Sequence, residues 1–210
     1  MFSCLKNVQL SHNILKVLNL TKDSNIYTSN VYFVLGTWNA IEDMNTLVDV
    51  GRDPLVIETI QQTHTGLGKP KLNQVILTHT HYDHVSMLSQ IKQRFRPTVF
   101  AYSHFLDGVD RYLNDKDTLR IGDEICEIIY SPGHSHDSIC LYCETDGILF
   151  TGDTPVVIHT QDGTYEKGFV HALKRIAQKN INTIYPGHGQ PIEKKCNALI
   201  QQTLNNVRSK

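Results

Sequence analysis

Long apolar runs are missing from this chain. None approaches the roughly 20 residues that cross a bilayer, so no membrane-spanning helix and no membrane partner is expected. The opening stretch Met1–Lys6 has no basic region leading into a long apolar one, so no secretory leader is expected and a cytoplasmic, reducing setting is the default reading. An excess of charge is missing too. Twenty Lys and Arg stand against 21 Asp and Glu, a formal net charge of -1. That balance leaves no electrostatic footprint for nucleic acid or an anionic surface. The basic clusters Lys69–Lys71 and Lys194–Lys195 are short enough to be solvated surface. Cysteine is sparse: Cys4, Cys126, Cys140, Cys143 and Cys196 are odd in number and scattered, which is not a disulfide framework. Cys140 and Cys143 form a C-x-x-C, but inside Ser138–Cys143, which reads as a strand. Residues three apart on a strand face opposite sides, so these two are not expected to share a metal or to pair with each other.

What is present is globular in composition, with 40% hydrophobic and 20% charged residues. The 210 residues suit one domain, residues 1–210, with a substantial core. Strands are expected at Ile14–Leu20, Val31–Leu35, Thr46–Val50, Asn73–Thr78, Thr98–Tyr102, Leu119–Ile121, Ile125–Tyr130, Ile139–Cys143, Ile148–Phe150 and Thr183–Tyr185. Helices are expected from Pro54 to about Gln61, where proline suits the first turn. Others run from Asp83 to Phe95, where Val85, Leu88, Ile91 and Phe95 recur at helical spacing, from Glu166 to Lys179, and from Glu193 to Val207. A short helix and loop are expected from His104 to Asp117. Strands with helices inserted between them predict layered α/β packing, with helices covering both faces of a strand-rich core.

Four side chains able to bind metal stand within six residues, in His79-Thr-His81-Tyr-Asp83-His84, directly after an apolar strand. In extended chain His79, His81 and Asp83 are alternate residues and project to one side. The turn into the following helix redirects His84. Three further candidates close three further turns. His134 follows Ser131-Pro-Gly133, Asp153 follows Phe150-Thr-Gly152, and His188 lies in Tyr185-Pro-Gly-His-Gly189. Each has glycine immediately before it, a residue that lets backbone approach a site closely. Five imidazoles and two carboxylates suit Zn, and also Fe or Mn. One catalytic metal needs about three or four protein ligands, so seven point to two divalent ions about 3.5–4 Å apart sharing a carboxylate and a hydroxide.

With these motifs the sequence resembles the metallo-β-lactamase superfamily. The resemblance rests on His79-Thr-His-Tyr-Asp-His84, Pro132-Gly-His134, Thr151-Gly-Asp153 and Pro186-Gly-His188 in that order, and covers about residues 30 to 192. It implies an α/β fold of the four-layer αββα sandwich type with the site at one edge. It implies that His79, His81 and His134 hold one metal, that Asp83, His84 and His188 hold the other, and that Asp153 bridges. Asp49, in Thr46-Leu-Val-Asp-Val-Gly51, would orient a ligand histidine. Within the superfamily the pattern is similar to glyoxalase II-type thioesterases. There are departures: Ser86-Met87 stands where Gly-Gly is common, and His136-Asp137 replaces Pro-Gly. Only 22 residues follow His188, where glyoxalase II enzymes carry a larger helical region that helps to bind glutathione.

The activity expected is hydrolysis of an ester-like bond, thioester or lactone before others, in a small-molecule substrate. A hydroxide between the metals would attack, and Asp83 would orient it as well as bind metal. Tyr82 is placed to donate to substrate, although packing is the plainer role for it. His104, His136 and His159 are the next residues for a pocket rim, with no catalytic role as their default; His12, His64 and His171 read as ordinary surface or packing residues. Two other classes share these motifs. An iron-dependent, persulfide dioxygenase-like oxidoreductase uses fewer ligands of this type; diiron reductases place a carboxylate where His81 stands. A nuclease fits the ligands but not the balanced charge. The motifs do not bear on the oligomeric state.

Overall fold

The computed structural model describes residues 15–36, 42–161 and 163–209. Cys4, His12 and the segment Met1–Lys6 lie outside them. The strands in chain order are β1 (Lys16–Asn19), β2 (Tyr32–Leu35), β3 (Thr46–Val48), β4 (Gln74–Leu77), β5 (Thr98–Ala101), β6 (Arg111–Tyr112), β7 (Thr118–Ile121), β8 (Glu124–Tyr130), β9 (Ile139–Cys143), β10 (Ile148–Gly152), β11 (Gly163–Tyr165), β12 (Thr183–Pro186) and β13 (Val207–Ser209). The helices are α1 (Leu55–Gln62), α2 (Tyr82–Val85), α3 (Leu88–Phe95), α4 (Lys167–Ile176) and α5 (Cys196–Asn206).

One sheet runs β1-β2-β3-β4-β5-β6, the second β12-β10-β9-β8-β7, and a small ribbon pairs β11 with β13. β1 to β3 are antiparallel; β3 to β6 are parallel. Parallel neighbours need crossovers, and α1 and α3 serve two of them. The second sheet is antiparallel except for β10 and β12, between which α4 crosses.

Alternation explains the layers. Tyr32 and Val34 of β2 point one way, into a core shared with Val48, Ile76, Phe100, Ile128, Leu141 and Phe150 of both sheets. Phe33 and Leu35 point the other way, onto Val56, Ile60, Leu88 and Ile91 of α1 and α3. The second sheet repeats the scheme, with Ile129, Cys140, Tyr142 and Leu149 facing Phe169, Leu173, Ile176 and Ile200 of α4 and α5. Strands buried on both faces read as continuous apolar runs, as all of β2, β9 and β10 do. The result is an αββα sandwich. Among the described residues no helix is long and apolar enough to cross a membrane.

Several local expectations change. The strand expected to reach Val50 stops at Val48, because Asp49 turns to a φ of 60°. The single helix expected over 83–95 is two. Val50 and Gly51 donate to the carbonyl of His84, at 2.9 and 3.1 Å, and Met87 N–H donates to Gly51 O. The His84 carbonyl is thereby taken from the helical ladder, and α2 ends at Val85. No helix forms in 104–117; the edge strand β6 stands there, outside any apolar run and so invisible to periodicity. β11 and β13, three residues each, are likewise additions.

The cysteine reading also needs correction. Cys126 on β8 and Cys143 on β9 are directly opposite in register and joined by a disulfide within the inter-sheet core. Counting cysteines missed it because register brings together residues 17 apart in sequence. A reducing cytosol does not ordinarily keep such a bond. Cys140 faces away from Cys143, onto the helical side, as the strand reading of the C-x-x-C requires. Thiol titration in denaturant is expected to count two more thiols after reduction than before. Replacing Cys126 and Cys143 together by Ala should lower the unfolding free energy by about 3 kcal/mol, as expected for a loop of this size, read from a denaturant melt; equal thiol counts would refute the bond.

Candidate metal centre

Chain segments at one end of the sandwich bring the expected ligands together. His79 follows β4 and His81 stands in extended backbone just before α2. Asp83 and His84 come from the first turn of α2, so the alternation expected from His79 ends at His81 rather than at Asp83. His134 lies between β8 and β9, Asp153 directly after β10 and His188 directly after β12. A donor atom each from His79, His81 and His134 forms one group in which all lie within 4.8 Å of one another. Asp83, His84 and His188 form a second such group, and His79, His84 and Asp153 a third that joins the two.

Asp153 is central. Its Oδ2 is 3.4 Å from His134 Nε2, 3.5 Å from His188 Nε2 and 4.0 Å from His79 Nε2, while Oδ1 is 3.3 Å from His84 Nε2. Asp83 Oδ2 is 3.1 Å from His188 Nε2 and 3.9 Å from His84 Nε2. His134 Nε2 and His81 Nδ1 are 2.8 Å apart. Yet His79 Nε2, His84 Nε2 and Asp153 Oδ1 are buried with no hydrogen-bond partner. A buried polar atom left so costs about 1–3 kcal/mol. Three that face one another, all of metal-binding type, fit a divalent cation.

The supports come from elsewhere in the chain. Asp49 accepts hydrogen bonds from Thr78 N–H, Thr78 Oγ1 and His84 Nδ1, each at 2.8 Å. The last leaves His84 Nε2 free to face the centre. Asn30 was not picked out by motif, and no periodicity marks it. Its N–H donates to Gly187 O at 2.7 Å, and its Nδ2 to Pro186 O and Gly189 O at 2.9 and 2.8 Å, holding the His188 turn from both sides. Tyr27 was missed as well; its ring stacks on His188 with centroids 5.5 Å apart. A β-carbon at Gly187 would run into the Asp153 carboxylate and stand 2.9 Å from His84 Cε1, which explains the glycine before His188.

The remaining candidates spread out. Tyr82 is exposed, with Arg52 4.8 Å over its ring. His136 is exposed beside His81 and His134, near Glu166. His104 stacks on Tyr112 at 4.1 Å, and His159, His64 and His171 are exposed.

Comparison with known proteins places this geometry. The profile of the metallo-beta-lactamase superfamily matches residues 26–107 and 105–188. The chain belongs to the metallo-beta-lactamase superfamily. Relatives include a hydroxyacylglutathione hydrolase of Chelativorans sp., 32% identical over 114 residues, 53% of this chain and 43% of that protein. Another is an atrochrysone carboxyl ACP thioesterase of Aspergillus fumigatus, 25% identical over 201 residues, 88% of this chain and 48% of that protein. The chain thus spans about half the length of these relatives. Among solved structures, the chemotaxis sensor ODP, described as a peroxy diiron species, aligns with a TM-score of 0.70 at 16% identity over 95% of each chain, a likeness of fold.

In this superfamily member, burial and charge set the protonation of the metal-free centre. Burial, with the neighbouring His84, pushes His79 down to about 4, so it is neutral and ready to coordinate. Burial opposes charge on His84 as well, but Asp49 and Asp153 outweigh it and push His84 up to about 10. Burial would raise Asp153, but His84 and its neighbours hold it at about 2. Burial also lowers His134.

A bound cation requires neutral imidazole, so it must displace the His84 proton. Zinc binding at about pH 8 is therefore expected to release close to one proton from His84, besides any that metal-bound water gives up, and the His84 part fades as pH rises through its value of about 10. Calorimetry in buffers of different ionisation enthalpy reads this; no buffer dependence would refute a protonated His84. Asp49→Ala should weaken zinc about 10- to 100-fold, as loss of an orienting partner does, measured by competition with a chromophoric chelator. Unchanged affinity would leave Asp49 a fastener of backbone only.

Proposed function

We propose that this chain is a hydrolase that uses two divalent metal ions, zinc in preference to iron or manganese, to cleave a thioester or a similar ester-like bond. The observation that carries the reading is the set of seven donors in overlapping groups with three buried donor atoms left unpartnered between them. His79, His81 and His134 would hold one ion and Asp83, His84 and His188 the other, with Asp153 between. Seven donors exceed what one ion takes and match a pair.

Ions bound there supply Lewis acidity toward a carbonyl oxygen and bring the pKa of water to about 7. The chain's own residues do the rest. Asp49 keeps His84 in one tautomer and orientation. Asp83 is buried, with its Oδ2 facing the centre beside His188, where it would accept a proton from attacking water and hold that water in line. Asn30 and Tyr27 keep the His188 turn in place from the opposite side. The preference for a thioester draws on the relatives, which are named as a hydroxyacylglutathione hydrolase and an ACP thioesterase. The small-molecule partner and the absence of a nucleic-acid role draw on the balanced charge.

The test is metal content per chain in protein purified without added metal, with thioester hydrolysis by the same sample. About two zinc ions and turnover that a chelator removes and zinc restores are expected. His134→Ala should lower kcat/KM by about 100-fold or more, since it strips one metal of a ligand. Iron with consumption of oxygen or persulfide, and no hydrolysis, would replace this reading by redox chemistry.

A further inference from the structure

Beside the metal centre lies a recess of about 470 Å³, which His134, Asp153 and His188 line at one end. Its other walls are mostly apolar, Pro155, Val156, Val157, Ile184, Pro186 and Ile192, with Thr151, Thr154 and Gln190 as neutral polar side chains among them. The volume is that of a small-molecule site. Among the described residues no lysine, arginine or further carboxylate lines it; the charged or titratable side chains there are the three candidate ligands. A phosphate or carboxylate would find no counter-charge in its depth, whereas an apolar group would lose only water.

Both walls are braced. Ile184 and Ile192 exchange two backbone hydrogen bonds of 2.9 Å, closing the base of the turn that carries His188. On the far side, Thr203 Oγ1 of α5 accepts from Ile158 N–H at 2.8 Å, and Asn206 Nδ2 donates to Ile158 O at 2.8 Å. These bonds fasten the stretch after Asp153 to α5. Pro155, Val157, Pro186 and Ile192 are only partly buried, so four apolar side chains keep some solvent contact in a braced cleft. That arrangement leaves unburied apolar area for a ligand to cover.

We infer that this recess holds an apolar acyl chain, with the acyl carbonyl at the metal end, and that it makes the enzyme selective for medium-chain acyl groups. The inference rests on the hydrolase reading and adds the part of the substrate that is recognised. An acyl chain seated along Pro155, Val157 and Ile192 places its carbonyl toward Asp153 and His188, with the leaving thiol outward.

The test uses N-acetylcysteamine thioesters from acetyl to octanoyl, together with ketone analogues in which a methylene replaces the thioester sulfur. Burial of each methylene is expected to raise kcat/KM by about fourfold until the recess is full. Ketone affinity for the metal-free protein, read by calorimetry, should rise in parallel. Val157→Trp, which narrows the recess, and Pro155→Glu, which charges its wall, should both flatten the two series; a cooperative melt checks each variant's fold. Should Val157→Trp fail to fold, Pro155→Glu decides, and the wild-type series is decisive in either case. Thioester turnover indifferent to acyl length, or dependent on the length of the thiol instead, overturns the inference while the hydrolase reading stands. Ketone binding that strengthens with chain length and is lost in the variants, without turnover of any thioester or of the matching oxygen esters, keeps the recess and overturns the hydrolase reading.

Discussion

Asp49 accepts from a backbone N–H, a hydroxyl and an imidazole at once, and it does so in a left-handed backbone conformation with a φ of 60°. A non-glycine residue enters that region at some cost, and three hydrogen bonds to one carboxylate offset it. The consequences run outward from this point. β3 ends at Val48, two residues short of the Val50 expected from its sequence. The Asp49 carboxylate fastens Thr78, the residue after β4, to the end of β3. His84 is held with Nδ1 engaged and Nε2 directed at the centre. The kink also turns Val50 and Gly51 toward the His84 carbonyl, and that interrupts the helix after α2. One buried carboxylate therefore sets the shape of the segment that carries four of the seven candidate ligands.

The strand ends of the sandwich supply the rest. Both sheets are covered on both faces, so backbone polar groups within them pair with neighbouring strands. At the end where β4, β8, β10 and β12 stop and β9 begins, the pairing gives out and polar side chains converge. Ile139 N–H reaches across to Thr78 O at 2.9 Å, joining the sheets beneath the site. A cluster of imidazoles and carboxylates this dense would be poor packing in its own right. It holds donor atoms in a buried place where neither protein groups nor a full hydration shell satisfies them, and this is the physical sense in which the centre is built for cations.

The recess and the centre share residues, but different parts of the fold brace them. Asn30, Tyr27 and Asp49, all from the first sheet's side, hold the ligands. The apolar wall is held from the other side by Thr203 and Asn206 of α5. The last helix thus does more than cover the second sheet. It braces the stretch beside the pocket from behind, in a chain whose match covers about half the length of those relatives.

How much of this was legible in the order of residues can be judged element by element. Two-faced burial writes continuous apolar runs, so β2, β4, β5, β9 and β10 stand out, and four glycine-bounded or strand-bounded motifs mark the seven donors. Local pattern alone suffices there, because solvent exclusion acts on each strand separately. β6, β11 and β13 carry no such pattern; β6 is a strand because it pairs with the edge of the first sheet, and β11 and β13 because they pair with each other. The helix over 83–95 has good helical spacing throughout, yet it breaks where Val50 and Gly51 take the His84 carbonyl. Cys126 and Cys143 look scattered until hairpin register sets them opposite each other. Asn30 and Tyr27 are undistinguished in sequence and act through contacts with residues about 160 positions away. The sequence by itself determined the layers and the ligand chemistry, because periodicity and residue type are local properties. Which hydrogen bonds hold each ligand, which cysteines pair and where a substrate finds apolar wall were decided by tertiary structure, because those depend on distances between segments that no local pattern encodes.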